Sequence, residues 1–278
     1  MEVGIIRMQT KSHEPAILAK GLCKSYGATT ALDGVDLEVH RGEIFGFLGP
    51  NGAGKTTTIR CLLDLIRPSG GSLRVLGLNP QTESVAVRAN AGYLPGDLRL
   101  DGQSSAGSAL RDLNALRGNR APHSRIVQLA NRLDLDLKTR VANLSKGNKQ
   151  KVGLIQALMH APELLLLDEP TSGLDPLIQQ EVLAILAEAQ SGGATIFFSS
   201  HVLSEVQAAA NRVAIIRKGR VVEVADTAEL ATRAIRRAVV RFEREINPLI
   251  LANVPGITSS RVTAMSVSVS SRRARLTA

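Results

Sequence analysis

An α/β fold with a phosphate-binding loop at one sheet edge is predicted by three observations. A short apolar run, residues 43–48 (EIFGFL), leads directly into GPNGAGKTT, residues 49–57, and a helix-periodic stretch follows it. A second apolar run, residues 164–167 (LLLL), ends in Asp168 and Glu169. A third, residues 194–200 (ATIFFSS), delivers His201 to the same side of the sheet if it runs parallel to the others. Runs of this length and composition are buried strands, and ligands of open α/β sheets bind at the strands' C-terminal edge.

The loop comes first. Its glycines let backbone N–H groups wrap phosphates without interference from Cβ atoms, and the following helix adds partial positive charge. Lys55 reaches the β- and γ-phosphates and Thr56 offers a hydroxyl to Mg²⁺, the roles that GxxxxGK[ST] assigns. By average residue usage, its four fixed positions arise by chance in about one chain in a hundred of this length. In the helix, Ile59, Leu62, Leu63 and Ile66 fall at i, i+3, i+4 and i+7, and Pro68 is expected to end it.

Asp168 is placed to hold Mg²⁺ and Glu169 to orient or deprotonate an attacking water. A DE pair after leucines also suits a solvated turn, and a lone histidine at a strand end is as often structural as functional; the loop is what favours the functional readings. In residues 143–151 (NLSKGNKQK), Ser145 reads as a helix N-cap, Gly147 keeps side chains off the first turn, and three lysines add charge, so an anion is welcome there too. Ser145 equally caps a core helix whose Val152, Ile155 and Met159 pack inward, and both readings hold together. The LRDLNALRG and IVQLANRLDL stretches show helical spacing, and residues 213–224 read as a hairpin around Lys218 and Gly219.

Composition narrows the function classes. With 278 residues and 44% of them hydrophobic, the chain can bury one large core, with or without a small appendage. Cys23 and Cys61 form no CxxC or Cys/His cluster, so neither a disulfide framework nor a zinc site is indicated, which suits a reducing cytoplasm. The apolar stretch near the N-terminus is too short for a secretory signal, and no run approaches the roughly 18 apolar residues of a membrane span. Net charge is +9, but nine arginines and two glutamates from Arg233 onward contribute +7 of it, leaving the rest nearly balanced. No tryptophan and 3% aromatics exclude the stacking platforms of single-stranded nucleic-acid binders.

GPNGAGKTT, LSKGNKQ, LLLLDEP, SGLDP and SSH, in that order, resemble the nucleotide-binding subunit of an ATP-binding cassette (ABC) transporter over roughly residues 17–230. The resemblance implies a P-loop NTPase of the ABC ATPase fold, with a mixed sheet core, an N-terminal antiparallel β subdomain and a helical subdomain at about 97–160. Residues 1–16 would be an N-terminal extension and 231–278 a basic C-terminal one. Gly49, Pro50, Asn51, Gly52, Ala53, Gly54, Lys55, Thr56 and Thr57 would hold ATP and Tyr26 would stack on its adenine. Thr56 and Asp168 would bind Mg²⁺, Glu169 would be the catalytic base, His201 the γ-phosphate sensor, and Asp175 a link between subunits. Ser145 and Gly147 would face the ATP of a second copy, or a homologous subunit, packed head to tail.

The function so implied is an ATPase that dimerises on ATP and powers separate transmembrane permease subunits from the cytoplasmic face of the membrane. Lys146 and Asn148 stand where most members of the family have Gly and Gln, a variant that resembles exporters of drugs and antibiotics. Gly96 stands where a glutamine is usual, and its role is not carried over to Asp97. Two other classes fit less well: a soluble cassette ATPase acting on nucleic acid or translation, and a phosphate-loop kinase. The tail beyond residue 260 is expected to fray, its arginines suited either to water or to anionic lipid headgroups.

Overall fold

Burial alternates along Thr29–Val39, whose Leu32, Val35, Leu37 and Val39 are buried between exposed neighbours, so this segment (β2) is a half-covered strand. It pairs antiparallel with Ile17–Tyr26 (β1), Ile17 opposite Val39 and Ala19 opposite Leu37. Gly70–Val75 (β4) pairs on β1's other side, completing the order β2-β1-β4. This is the expected antiparallel subdomain. The structure, a computed structural model, describes residues 14–233, 236–241, 257–263 and 266–271, with side chains over 14–230.

The central sheet uses strands without alternation, because both of its faces are covered. Ile44–Leu48 (β3) lies between Thr195–Ser200 (β7) and Arg212–Arg217 (β8) and is parallel to both. Ala91–Leu94 (β5) and Leu164–Asp168 (β6) extend the β7 side, also parallel. Arg220–Asp226 (β9) completes the order β5-β6-β7-β3-β8-β9. Phe45, Phe47, Phe197 and Phe198 fill the centre, with Phe45 and Phe197 stacked at 6.0 Å between centroids.

The helix after the loop, Lys55–Leu62 (α1), is shorter than its periodicity suggests. Pro68 does not end it. Asp64 adopts a left-handed φ of 51°, and Leu65 N–H folds back to the Arg60 carbonyl, satisfying the helix's last acceptors before Ile66. Ile66 still packs against the core, from the turn rather than from the helix.

Between β5 and β6 lies the helical segment. Short Ser84–Asn90 (α2) precedes β5; then come Ala106–Leu116 (α3), His123–Arg132 (α4), a 3₁₀ turn Val141–Asn143, and Lys146–Leu158 (α5). Buried Asn114 clamps the α3–α4 connection, its amide donating to the Ala121 carbonyl and its oxygen accepting from Ala121 N–H. Arg132 forks onto Glu181 and Glu188 of Pro176–Ser191 (α6), tying this segment to the sheet's helices. Leu203–Ala209 (α7) packs its Val206 against β3.

The chain divides into two compact units, residues 1–224 and 225–278. The second contains Thr227–Arg233 (α8) and an antiparallel sheet of Arg236–Arg241 (β10), Ile257–Thr263 (β11) and Ser266–Ser271 (β12), ordered β10-β12-β11. The expectation of fraying beyond residue 260 is therefore corrected over 261–263 and 266–271, where valine alternating with serine or threonine has the two-residue period of a strand. Residues 272–278, with their three arginines, and residues 1–13 lie outside the described residues.

Candidate active site

The chain leaves β3 for the loop at Gly49, whose N–H donates to the Ser200 carbonyl at 3.1 Å and where a Cβ would sit 2.4 Å from the Ile216 carbonyl oxygen. Gly54, immediately before α1, holds φ 112°, and a Cβ there would meet Leu32 at 2.7 Å and the Ala31 carbonyl at 2.8 Å. Only glycine satisfies both constraints. The loop leaves an open depression of about 450 Å³, where Asn51, Gly52, Gly54, Lys55, Thr56 and Thr57 face Glu169.

Lys55 is buried, its Nζ donating to the carbonyls of Gly49 (2.7 Å) and Pro50 (3.2 Å) and lying 3.4 Å from Glu169 Oε1. The same carboxylate oxygen is 3.3 Å from His201 Nδ1. Glu169 is thus held between an ammonium and an imidazole. Thr56 Oγ1 donates to Asp168 Oδ2 at 2.6 Å, and Ser199 Oγ donates to Asp168 Oδ1 at 2.5 Å. A hydroxyl and a carboxylate are the oxygen donors that a hard cation prefers. Among the described residues no group of three or more His, Cys, Asp or Glu is arranged to hold a metal ion, so a Mg²⁺ here would draw its other ligands from phosphate and water.

Ser145 caps α5, its oxygen accepting from Asn148 N–H at 3.2 Å, and Val152, Ile155 and Met159 are buried as the periodicity predicts. A Cβ at Gly147 would stand 2.8 Å from the Gly173 carbonyl, so the SGLDP turn packs directly on α5's first turn. Asp175 in that turn caps α6 by accepting from Leu177 and Ile178 N–H, both at 3.1 Å. Ser145, Gly147 and Asp175 therefore form a second group, none of them lining the depression. Tyr26 stands half-exposed at the end of β1, with the Lys24 ammonium 5.0 Å from its ring centroid.

At Gly96 a Cβ would lie 3.1 Å from Asp168 Oδ2, so the backbone itself packs against that carboxylate. Sequence reasoning missed two polar residues beside Glu169. Ser199 is buried in β7, and Gln150, buried in α5, donates to the Glu169 and Pro170 carbonyls at 2.9 and 3.3 Å. The one sequence signal for Ser199 is a polar side chain in an apolar strand, whereas Gln150, between Lys149 and Lys151, carries none.

The sequence profile of the ABC transporter family matches residues 32–172. The daunorubicin resistance ATP-binding protein DrrA3 of Streptomyces coeruleorubidus is 38% identical over 221 residues, covering 78% of this chain and 70% of that protein. The bacitracin transport ATP-binding protein BcrA of Enterococcus faecalis is 35% identical over 223 residues, covering 79% of this chain and 72% of its own. Among solved structures, an ATP-binding subunit of an ABC transporter superposes with a TM-score of 0.71 at 28% identity, over 78% of this chain and 92% of that one. A dimeric post-hydrolysis cassette bound to ADP and Pi has a TM-score of 0.68 at 20% identity, over 76% of this chain and 98% of that one, a likeness of fold.

Proposed function

The chain belongs to the ABC transporter family, and we propose that it hydrolyses ATP to drive export of drugs, antibiotics or other hydrophobic compounds through separate membrane subunits. The observation that carries the chemistry is Glu169 Oε1 lying 3.4 Å from Lys55 Nζ and 3.3 Å from His201 Nδ1 at the rim of the phosphate loop. The drug- and bacitracin-associated relatives support the exporter reading, and so does the LSKGN signature. Among the described residues no helix is long and apolar enough to cross a membrane, which fits a subunit that works through permeases at the cytoplasmic face.

The loop's N–H groups and the Lys55 ammonium bind the β- and γ-phosphates of ATP and stabilise the charge that spreads over the transferred phosphoryl. Glu169 accepts a proton from water as the water oxygen bonds to the γ-phosphorus. The bond from that phosphorus to the β–γ bridging oxygen breaks, releasing ADP and phosphate. His201, beside Glu169, hydrogen-bonds the γ-phosphoryl oxygens and keeps the base oriented. Thr56 and Asp168 would hold Mg²⁺, which would neutralise phosphate charge.

Ser145 and Gly147 present the N-terminus of α5 to ATP held by a second copy in a head-to-tail dimer, with Asp175 at the seam and Tyr26 stacked on the adenine. Two copies are thereby joined by ATP and released on hydrolysis. The nucleic-acid reading is not favoured, because the similar curated proteins are transport and resistance proteins.

The test is Glu169→Gln. It should retain ATP binding, lose hydrolysis by about 100-fold or more, and accumulate ATP-bound dimers in size-exclusion chromatography. Normal turnover by this variant would remove Glu169 from the base's role.

A further inference from the structure

Glu169 adopts a left-handed backbone, φ 51°, which a residue with a Cβ holds only where its surroundings over-determine it. Two side chains from different elements do so here. Ser199 Oγ accepts the Glu169 N–H at 3.0 Å, while its own hydrogen goes to Asp168 Oδ1 at 2.5 Å. Gln150 spends one amide hydrogen on the Glu169 carbonyl at 2.9 Å and the other on the Pro170 carbonyl at 3.3 Å. Ser172 N–H adds a turn bond to the same Glu169 carbonyl, at 3.1 Å. Both clamping side chains are buried, 0% and 8% exposed, so water cannot replace either bond without entering the core.

We infer that Ser199 and Gln150 are positioning residues for hydrolysis: they grip the Glu169 peptide from its two ends and so aim the Glu169 carboxylate between Lys55 and His201. The inference rests on the reading of Glu169 as the base. Neither side chain lines the depression, so neither is placed to bind ATP. Gln150 also sits five residues beyond Ser145 on α5, so any shift of that helix pulls directly on the base's carbonyl.

The test compares full-length wild type with Ser199→Ala, Gln150→Glu and Glu169→Gln, measuring kcat and KM for ATP, equilibrium binding of a fluorescent ATP analogue, and near-ultraviolet circular dichroism. Ser199→Ala and Gln150→Glu should each lower kcat about tenfold at neutral pH, and Gln150→Glu, replacing a side chain that hydrogen-bonds only the Glu169 and Pro170 carbonyls, should keep analogue affinity within about twofold of wild type. Gln150→Glu carries a further signature. Its carboxylate can donate to neither carbonyl, whereas the protonated acid has one hydrogen to donate and restores one of the two bonds, so its rate relative to wild type should rise as pH falls from about 8 to 6. A purely packing role would leave that ratio flat.

The inference is overturned if both variants keep wild-type kcat while Glu169→Gln is inactive, or if the Gln150→Glu ratio is independent of pH. Should Ser199→Ala fail to fold, the pH profile of Gln150→Glu still decides. Normal hydrolysis by Glu169→Gln would instead sink the underlying assignment of the base.

Discussion

Thr56 Oγ1 and Asp168 Oδ2 lie 2.6 Å apart although 112 residues separate them. The strand between β3, which leads into the loop before Thr56, and β6, which ends in Asp168, brings this about. β7 pairs with both neighbours, placing Ser200 beside Leu48 at the end of β3 and Ser199 beside Asp168 at the end of β6. One shared register thus aligns the phosphate loop, the carboxylates and His201 along a single edge, the edge at which open α/β sheets bind their ligands.

The Thr56 hydroxyl should be required as a ligand and not merely as volume. Thr56→Val is expected to lower ATP hydrolysis about 100-fold and to raise the Mg²⁺ concentration for half-maximal rate, whereas Thr56→Ser stays within about threefold of wild type. Titrating Mg²⁺ into the three proteins at saturating ATP checks this. Equal Mg²⁺ curves for Val and Thr would exclude Thr56 as a ligand.

Gly54→Ala should unfold more easily as well as bind ATP poorly. Its Cβ meets Leu32 and the Ala31 carbonyl at 2.7 and 2.8 Å on a backbone at φ 112°, so a loss of about 1–3 kcal/mol is expected. Urea midpoints measured without nucleotide isolate this effect from ligand stabilisation.

Ser145→Arg separates binding from turnover. The serine lies outside the depression, so ATP affinity should remain, but the proposed shared site between two copies would be blocked and hydrolysis should fall at least about tenfold. A monomeric kinase-like enzyme would keep its rate, and a rate per chain that does not change with dilution would point the same way.

His160 should make the fold acid-sensitive. Burial, reinforced by Arg117 with its Nη1 3.2 Å from the ring Nε2 and by Arg120, pushes its pKa down to about 4. Arg117 can only donate, so Nε2 must accept and the folded ring is neutral. The unfolded ring binds a proton near pH 6.5, so stability is full above that value and declines as pH falls toward 4. The loss by about pH 5 should be on the order of 1 kcal/mol, discounted because the ring keeps some water. Urea midpoints at both pH values, compared with His160→Gln, should show a smaller acid-dependent drop in the variant.

Much of the candidate site is legible in the chain because phosphate chemistry imposes local patterns. GPNGAGKTT needs its glycines and lysine within nine residues, and apolar runs announce the strands that precede Lys55, Asp168 and His201. The end of α1 is less legible. It is made by Asp64 in a left-handed turn, a conformation that aspartate permits without announcing, so Pro68 draws the eye instead. The strand at 266–271 reads SVSVSS, an alternation overshadowed by the arginines that follow it.

By itself the sequence determined which chemistry this protein carries: a cradle for phosphates, carboxylates at a strand edge, and an N-capped helix that opens on lysines. Those properties reside in residue type and in spacing along one dimension. The tertiary structure alone decided that Ser199 bridges Asp168 to the Glu169 peptide and that Gln150 grips its other end, and it alone shows the Gly96 backbone packed against the Asp168 carboxylate. Such contacts depend on the relative placement of β6, β7 and α5 to within a few tenths of an ångström, and hydrogen bonds that steep in distance leave no period for a sequence to display.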